Sequence, residues 1–392
     1  MVARRPPVRT GDTRNAPFRG WLVRVSALIL LGLASAMALA ARPASSTVNA
    51  REAPFRVDTV AQLREPWAMA FLPDGRLLVT ERPGRLRLVS PNGRVEDVDG
   101  VPDVAYGGQG GLGDVVLHPD FAGNRWVYLS YAEEGPNDTR GAVVVRARLE
   151  LRRRGGTLAD VRVIWRQQPK VPGRGHYGHR LAFGPDGKLW ITSGERKALQ
   201  PAQDLRTNLG KVVRLEDDGS VPRDNPFFSR GGVAGQVWSL GHRNPLGLAF
   251  DGRGQPWIHE MGPKGGDEFN RLVRGGNYGF PMVSEGDHYD GRAIPAHSTR
   301  PEFVAPALAW TPAISPSGLV FYSGEEFPDW RGDALIGALS GNALVRVRIG
   351  PQGAREVARY PMGRRIREVE QGPSGDVWLL EDVTGRLLRL RR

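Results

Sequence analysis

Past residue 60 the chain repeats one arrangement of apolar and polar positions. A short apolar stretch leads into a turn rich in Pro, Asp and Gly, and a second, β-rich stretch follows. The arrangement reads "AMAFLPDGRLLVTE" from Ala68, "DVVLHPDFAGNRWVYLSY" from Asp114 and "LAFGPDGKLWITSG" from Leu181. It returns as "LAFDGRGQPWIHEM" from Leu248, "LVFYSGEEFPDWRGDALIGAL" from Leu319 and "VEQGPSGDVWLLED" from Val369. Self-similarity of this kind is the signature of repeat architectures. Each copy reads as two strands around a turn that Asp and Gly favour, because both tolerate left-handed backbone angles. Further β-branched segments, such as "RLRLVSPNGRVEDV" and "GAVVVRARLEL", lie between the copies. Four strands per unit and six units predict an all-β fold: a six-bladed β-propeller with four-stranded antiparallel blades, its edges protected by radial closure. The segment "FRVDTV" from Phe55 is expected to pair into the last blade and close the ring. No apolar period of 3.6 residues is sustained, so long helices are not expected.

Before the repeats, arginines up to Arg24 precede the apolar run "VSALILLGLASAMALA", whose last three residues offer a small-residue cleavage site. Residues 1–40 therefore read as a signal peptide, 41–54 as a linker and 55–392 as the propeller domain. The run is short and rich in small residues, so no stable membrane span is expected after cleavage, and the mature protein is expected in the periplasm or outside the cell. The formal charge is +12; six arginines and Asp12 in residues 1–40 supply +5 of it, leaving +7. The remaining arginines are scattered among acids, whereas a nucleic-acid groove needs a concentrated basic face, so no nucleic-acid partner is expected. Cysteine is absent, which excludes disulfides, thiolate metal sites and a cysteine nucleophile.

A propeller alone specifies no chemistry, so function is read from its loops. In "AYGGQGGLGDVVLHPDF", Gly108, Gly110 and Gly113 match G-x-G-x-x-G, but β-branched residues follow where a dinucleotide site needs a helix. Gln109 is the polar side chain of that loop, a site residue or a solvated turn. "GRGHYGHR" places His176 and His179 three apart around Gly178, a spacing that suits a zinc pair poorly. A general base oriented by Glu195, a structural loop histidine and a metal ligand all remain open for His176. Arg243 and Asn244 in "SLGHRNPLGLAF" suit oxygen-rich groups. In "HEMGPKGGDEFNRLVRGGNYGFP", the carbonyls of Gly262 and Pro263 with Asp267 and Glu268 would suit calcium, or form a turn with solvated acids. Arg365 and Arg367 in "RRIREV" would share one strand face, as a carboxylate clamp or a surface strand.

Taken in order, six stretches resemble the soluble quinoprotein sugar dehydrogenases, the glucose/sorbosone dehydrogenase family, and within it the aldose sugar dehydrogenase branch. They are "GGQGGLGDVVLHPDF", "GHYGHRLAFGPDGKLW", "NLGKVVRLEDDGSVPRDNPF", "SLGHRNPLGLAFD", "GPKGGDEFNRLVRGGNYGFP" and "RRIREV". The resemblance implies a propeller that binds pyrroloquinoline quinone (PQQ) and calcium and oxidises aldoses at C1 to lactones. It implies His176 as the base for the C1 hydroxyl, Glu195 as its holder, and Gln109 beside quinone and substrate. It implies Arg243 and Asn244 at the quinone oxygens, Arg243 stabilising the reduced anion, and Trp310 as a further cofactor contact. Gly262 and Pro263 would bind calcium with support from Asp267 and Glu268, and Arg365 and Arg367 would pair with the cofactor's carboxylates. His179 is expected to be a neighbour without a catalytic role. Ser340 stands where glucose-oxidising relatives carry a cofactor-pairing lysine. The insertions that build a dimer in those relatives are shortened, so a monomer is expected, passing electrons to an artificial or respiratory acceptor. The competing readings are a calcium-dependent lactonase-type hydrolase and a non-catalytic sugar-binding propeller outside the cytoplasm.

Overall fold

The computed structural model describes residues 53–351 and 353–392. The expected signal peptide, and the linker except for its last two residues, lie outside them. Each repeat folds as a hairpin because its turn chemistry leaves the chain little choice. In the first copy Gly75 takes φ +84° and donates to Leu72 O, while Asp74 Oδ1 accepts the Arg76 N–H. Gly187 and Asp186 repeat the arrangement in the third copy. Here Gly supplies the left-handed angle and Asp caps the turn.

The first hairpin pairs Pro66–Phe71 with Leu77–Glu81, and Arg85–Val89 and Val95–Asp99 complete its sheet. The second sheet runs Leu112–Leu117, Trp126–Glu134, Thr139–Leu151 and Gly156–Arg166. A short parallel contact, Val98 to Gly156 and Asp99 to Thr157, joins the outer edges of these two sheets. Gly178–Phe183, Leu189–Ser193, Lys211–Leu215 and Val237–Leu240 form the third. Pro245–Phe250, Pro256–Glu260, Asp267–Arg271 and Leu308–Trp310 form the fourth, and Pro316–Phe321, Ala334–Ala338, Ala343–Gly350 and Gly353–Pro361 the fifth. In the last sheet Ile366–Gln371, Val377–Glu381 and Arg386–Arg391 take Arg56–Gln62 as their outer strand, antiparallel with Arg56 opposite Arg391. The segment expected to close the ring does so.

The apolar core is divided between the sheets. Trp67 and Leu88 of the first pack on Val115 and Leu129 of the second, and equivalent clusters follow between each successive pair. A further cluster joins Leu380 and Leu387 of the last sheet to Met69 and Val79 of the first. The result is a propeller-like all-β architecture. Among the described residues helix is confined to short turns such as Phe121–Asn124.

One irregularity recurs. The innermost strand of every sheet carries a register shift near its start, between Pro66 and Ala68, Leu112 and Val115, Gly178 and Leu181, Pro245 and Gly247, Ser317 and Leu319, and Ile366 and Glu368. Bulges of this kind bend a strand and re-aim its side chains. They fall at Trp67, Asp114, Arg180, Leu246 and Arg367, and each of these residues takes part in the site described next.

Candidate active site

A cavity of about 270 Å³ is lined by residues from all six sheets or the loops that lead into them. Trp67 and Arg82 come from the first, Gln109 from the second, Tyr177 and His179 from the third, and Asn244, Leu246 and Met261 from the fourth. Ser315 and Leu339 come from the fifth, and Arg365, Arg367 and Asp382 from the last. Three guanidinium groups thus face the cavity against one carboxylate, and this excess suits a polyanionic ligand.

Two of these guanidiniums come from one strand and the residue just before it. Arg365 Nε and Arg367 Nη2 reach the two oxygens of Asp382 at 2.9 and 2.7 Å. The i, i+2 spacing does put both on one face. Burial alone would raise the Asp382 carboxyl, but the two guanidiniums hold it below the ordinary carboxylate range.

Beside the cavity, His176 Nδ1 lies 2.5 Å from Glu195 Oε1. Glu195 Oε2 accepts the Leu199 N–H at 2.7 Å, so the carboxylate is fixed at both oxygens. Burial lowers the imidazole below its ordinary value of 6.5, with Glu195 opposing. Burial also works against the Glu195 carboxylate, yet the contact with His176 leaves it below the ordinary carboxylate range. Both directions favour a neutral imidazole whose Nδ1–H donates to an ionised carboxylate. Nε2 has no hydrogen-bond partner among the described residues. The loop is strained around this pair: His176, Arg196, Lys197 and Leu199 all have φ between +51° and +62°. Gln109 Oε1 accepts the His176 N–H at 2.6 Å and ties the histidine to the cavity wall.

His179 lines the cavity, but its ring is already engaged. Its Nδ1 meets Ser130 Oγ at 2.7 Å, its ring stacks on Trp67 at 5.1 Å, and burial pushes its pKa down to about 3. Gly113 is glycine because a Cβ there would lie 2.0 Å from His179 Cε1. The apparent dinucleotide motif is a packing requirement.

Arg243 adjoins Glu195 through its backbone, its carbonyl accepting the Glu195 N–H at 2.9 Å. Its Nη1 donates to Met261 O at 2.8 Å and Gly262 O at 2.6 Å. Asn244 Oδ1 accepts the Gly178 N–H at 3.2 Å. Ser340 Oγ donates to Ser315 Oγ at 2.8 Å, so a hydroxyl chain stands at the rim where a lysine was expected in relatives.

Two expected site residues, Trp310 and Glu268, are placed elsewhere, and a third, Asp267, acts through the backbone. Trp310 is buried between the fourth and fifth sheets and its indole donates to Glu356 Oε2 at 2.8 Å. It sits on the outer strand, opposite Asp267, and does not line the cavity. Asp267 serves the backbone: Oδ1 accepts from Gly262 N, and Oδ2 from Ile314 N and Ser315 N. Glu268 is the next residue of the same strand, so it points to the opposite face, where Asn270 Nδ2 donates to it at 3.1 Å. Among the described residues no three His, Asp or Glu side chains converge as a metal cage. Gly262 O already accepts from Arg243 Nη1, so a hard cation here would have to share or displace that contact; Pro263 supplies the segment's other expected carbonyl, and Asp267 fixes the loop that carries both.

Sequence reading did not find Arg180, which is buried behind the cavity-lining Trp67, Leu246 and Arg367. Its Nε donates to Leu246 O at 2.8 Å, its Nη2 to Arg367 O at 3.4 Å, and its Nη1 meets Asp114 and Glu368. The guanidinium carbon lies 4.1 Å over the Trp67 ring. One buried cation thus ties five sheets together.

A ring of inner strands surrounds a cationic cavity with a carboxylate-held histidine beside it, and the chain's relatives are sugar dehydrogenases, oxidoreductases acting on small-molecule sugars. The chain belongs to the glucose/sorbosone dehydrogenase family, whose model matches residues 63–389. It is 39% identical over 359 residues to the aldose sugar dehydrogenase YliI of Escherichia coli, covering 88% of this chain and 95% of that one. A crystal structure of a glucose dehydrogenase superposes with TM-score 0.82 at 42% identity, covering 85% of this chain and 99% of the other. The PQQ-bound form of the Streptomyces coelicolor aldose sugar dehydrogenase superposes with TM-score 0.70 at 28% identity, covering 86% and 98%.

Proposed function

We propose that this chain is a six-bladed β-propeller quinoprotein that uses PQQ and calcium to oxidise aldoses at C1 to lactones. The observation that carries the reading is the His176–Glu195 pair, tied through Gln109 to the wall of a cavity that Arg365 and Arg367 line. When bound, PQQ would supply a quinone that accepts hydride, with calcium polarising it. Arg365 and Arg367, already aligned by Asp382, would hold the cofactor's carboxylates. Arg243 and Asn244 would face its quinone oxygens, Arg243 favouring negative charge there. The carbonyls of Gly262 and Pro263 would hold the calcium. His176 would take the C1 hydroxyl proton at Nε2, and Glu195 would stabilise the resulting imidazolium and keep the ring oriented. Gln109 fixes the histidine's backbone and would orient the sugar hydroxyls.

A lactonase-type hydrolase calls for side-chain carboxylates around the metal, and Asp267 and Glu268 face away from one another here. A non-catalytic sugar-binding propeller has no use for a histidine held in strained backbone beside an arginine fork. We also propose export, on the strength of residues 1–40, action as a monomer, and an artificial or respiratory electron acceptor. The test is reconstitution: dye reduction by an aldose that requires both PQQ and calcium and is lost in His176→Ala supports the dehydrogenase. Quinone-independent lactone hydrolysis, or sugar binding without turnover, would overturn it.

A further inference from the structure

The segment that follows Gly262 and Pro263 doubles back. Lys264–Gly265 pairs with Gly286–Asp287 in a two-residue ladder, and the Ser284 N–H donates to Pro295 O at 3.0 Å. Between these ties the chain makes a short tip: the His288 N–H donates to Arg292 O, and Asp290 pairs with Arg292. Tyr289 stands on this tip, 74% exposed. Its hydroxyl lies 3.5 Å from Arg243 Nη2, and its ring centroid 5.9 Å from the Arg243 guanidinium carbon. Tyr106 and Phe228 are less exposed, at 47% and 39%. An aromatic ring left in water beside the arginine of a site, on a loop pinned at its base, has an apolar face without a partner.

We propose that Tyr289 is the platform on which the apolar C–H face of the aldose ring stacks, and so a specificity-determining residue of the sugar site. This rests on the sugar-oxidising reading above. A pyranose presents C–H groups on one face and hydroxyls around its edge. A tyrosine ring offers the matching apolar surface, with a polar tip directed toward Arg243. The ladder beside Gly262 brings that surface to the site without burying it, so it is open to a ligand arriving from solvent.

The test compares Tyr289→Ala with Tyr289→Phe in two measurements. In the reconstituted enzyme, Ala raises the aldose KM roughly three- to tenfold while kcat and the PQQ concentration for half-reconstitution stay within about twofold, and Phe behaves as wild type. In ligand-observed NMR, saturation transfer to 1-deoxyglucose, which lacks the oxidisable hydroxyl, is seen with wild type and Phe and is lost with Ala. The NMR arm needs no turnover: Tyr289-dependent binding with no PQQ-dependent oxidation would sustain the platform and sink the dehydrogenase. An unchanged KM and unchanged transfer in Tyr289→Ala would overturn the inference. So would a loss of PQQ affinity matching the rise in KM, or no binding of the deoxy sugar to wild type.

Discussion

His176 Nδ1 and Glu195 Oε1 stand 2.5 Å apart at the open end of one hairpin, the histidine just before its first strand and the glutamate just after its second. The hairpin returns the carboxylate to the base, and Gln109 and the Arg243 carbonyl hold the two backbones in place. The pair's chemistry therefore depends on local backbone, including the left-handed angles on both sides.

This arrangement fixes a pH dependence. Burial lowers the His176 pKa and Glu195 opposes that effect. The base works when neutral, so kcat/KM should stay level through neutrality and fall only below the ordinary imidazole value of 6.5. Glu195→Gln removes the opposing carboxylate, so the acid limb should move to still lower pH while the plateau drops roughly a hundredfold. A pH–rate profile of both proteins checks the two effects together.

The arginine fork makes a separate prediction about affinity. Arg367→Ala should weaken PQQ binding by roughly ten- to a hundredfold, the worth of a charge-assisted hydrogen bond, with kcat at saturation little changed. Asp382→Asn should weaken it less, because the fork loses its alignment and keeps its charge. Absorbance titration of the apoprotein with PQQ measures both.

Asp267 is predicted to act on calcium indirectly. Its Oδ1 holds the Gly262 N–H, and an amide at the same place cannot satisfy all three backbone donors. Asp267→Asn should raise the calcium needed for half-reconstitution several-fold, while Glu268→Gln leaves it within about twofold. Calcium titration at saturating PQQ decides this.

The fold was largely legible because its information is local. Asp and Gly in the turns and apolar stretches around them specify each inner hairpin, and "FRVDTV" was identifiable as the closing strand. The histidine–glutamate pair was legible for the same reason, as was the shared face of Arg365 and Arg367. What was missed depends on partners distant in sequence. Arg180 belongs to the same octapeptide as His176, but its meaning comes from Asp114 and Glu368, which other sheets bring to it. Trp310 was expected from the resemblance alone, and residues 308–310 pair as an outer strand against Phe269 and its neighbours. Asp267 and Glu268 were grouped as one ligand pair, and strand alternation separates them.

Arg180 also carries a stability prediction. Arg180→Met leaves Asp114 and Glu368 buried without their cation, a loss of about 3–5 kcal/mol. Burial already raises Glu368 to about 7, against an ordinary 4.5. A carboxyl raised in this way favours folding when protonated; that contribution is complete below 4.5 and fades as pH rises through 7. Without Arg180 the carboxyl rises further, so the variant's deficit should be larger at pH 8 than at pH 5. Thermal unfolding at the two pH values tests the sign.

The most direct measurement is a single turnover of bound PQQ by an aldose carrying deuterium at C1, followed by the cofactor's absorbance. Wild type should reduce it several-fold more slowly than with the protiated sugar. His176→Ala should bind PQQ normally and reduce it at least about a hundredfold more slowly. Reduction that proceeds equally fast without His176, or without any effect of deuterium at C1, would contradict the account.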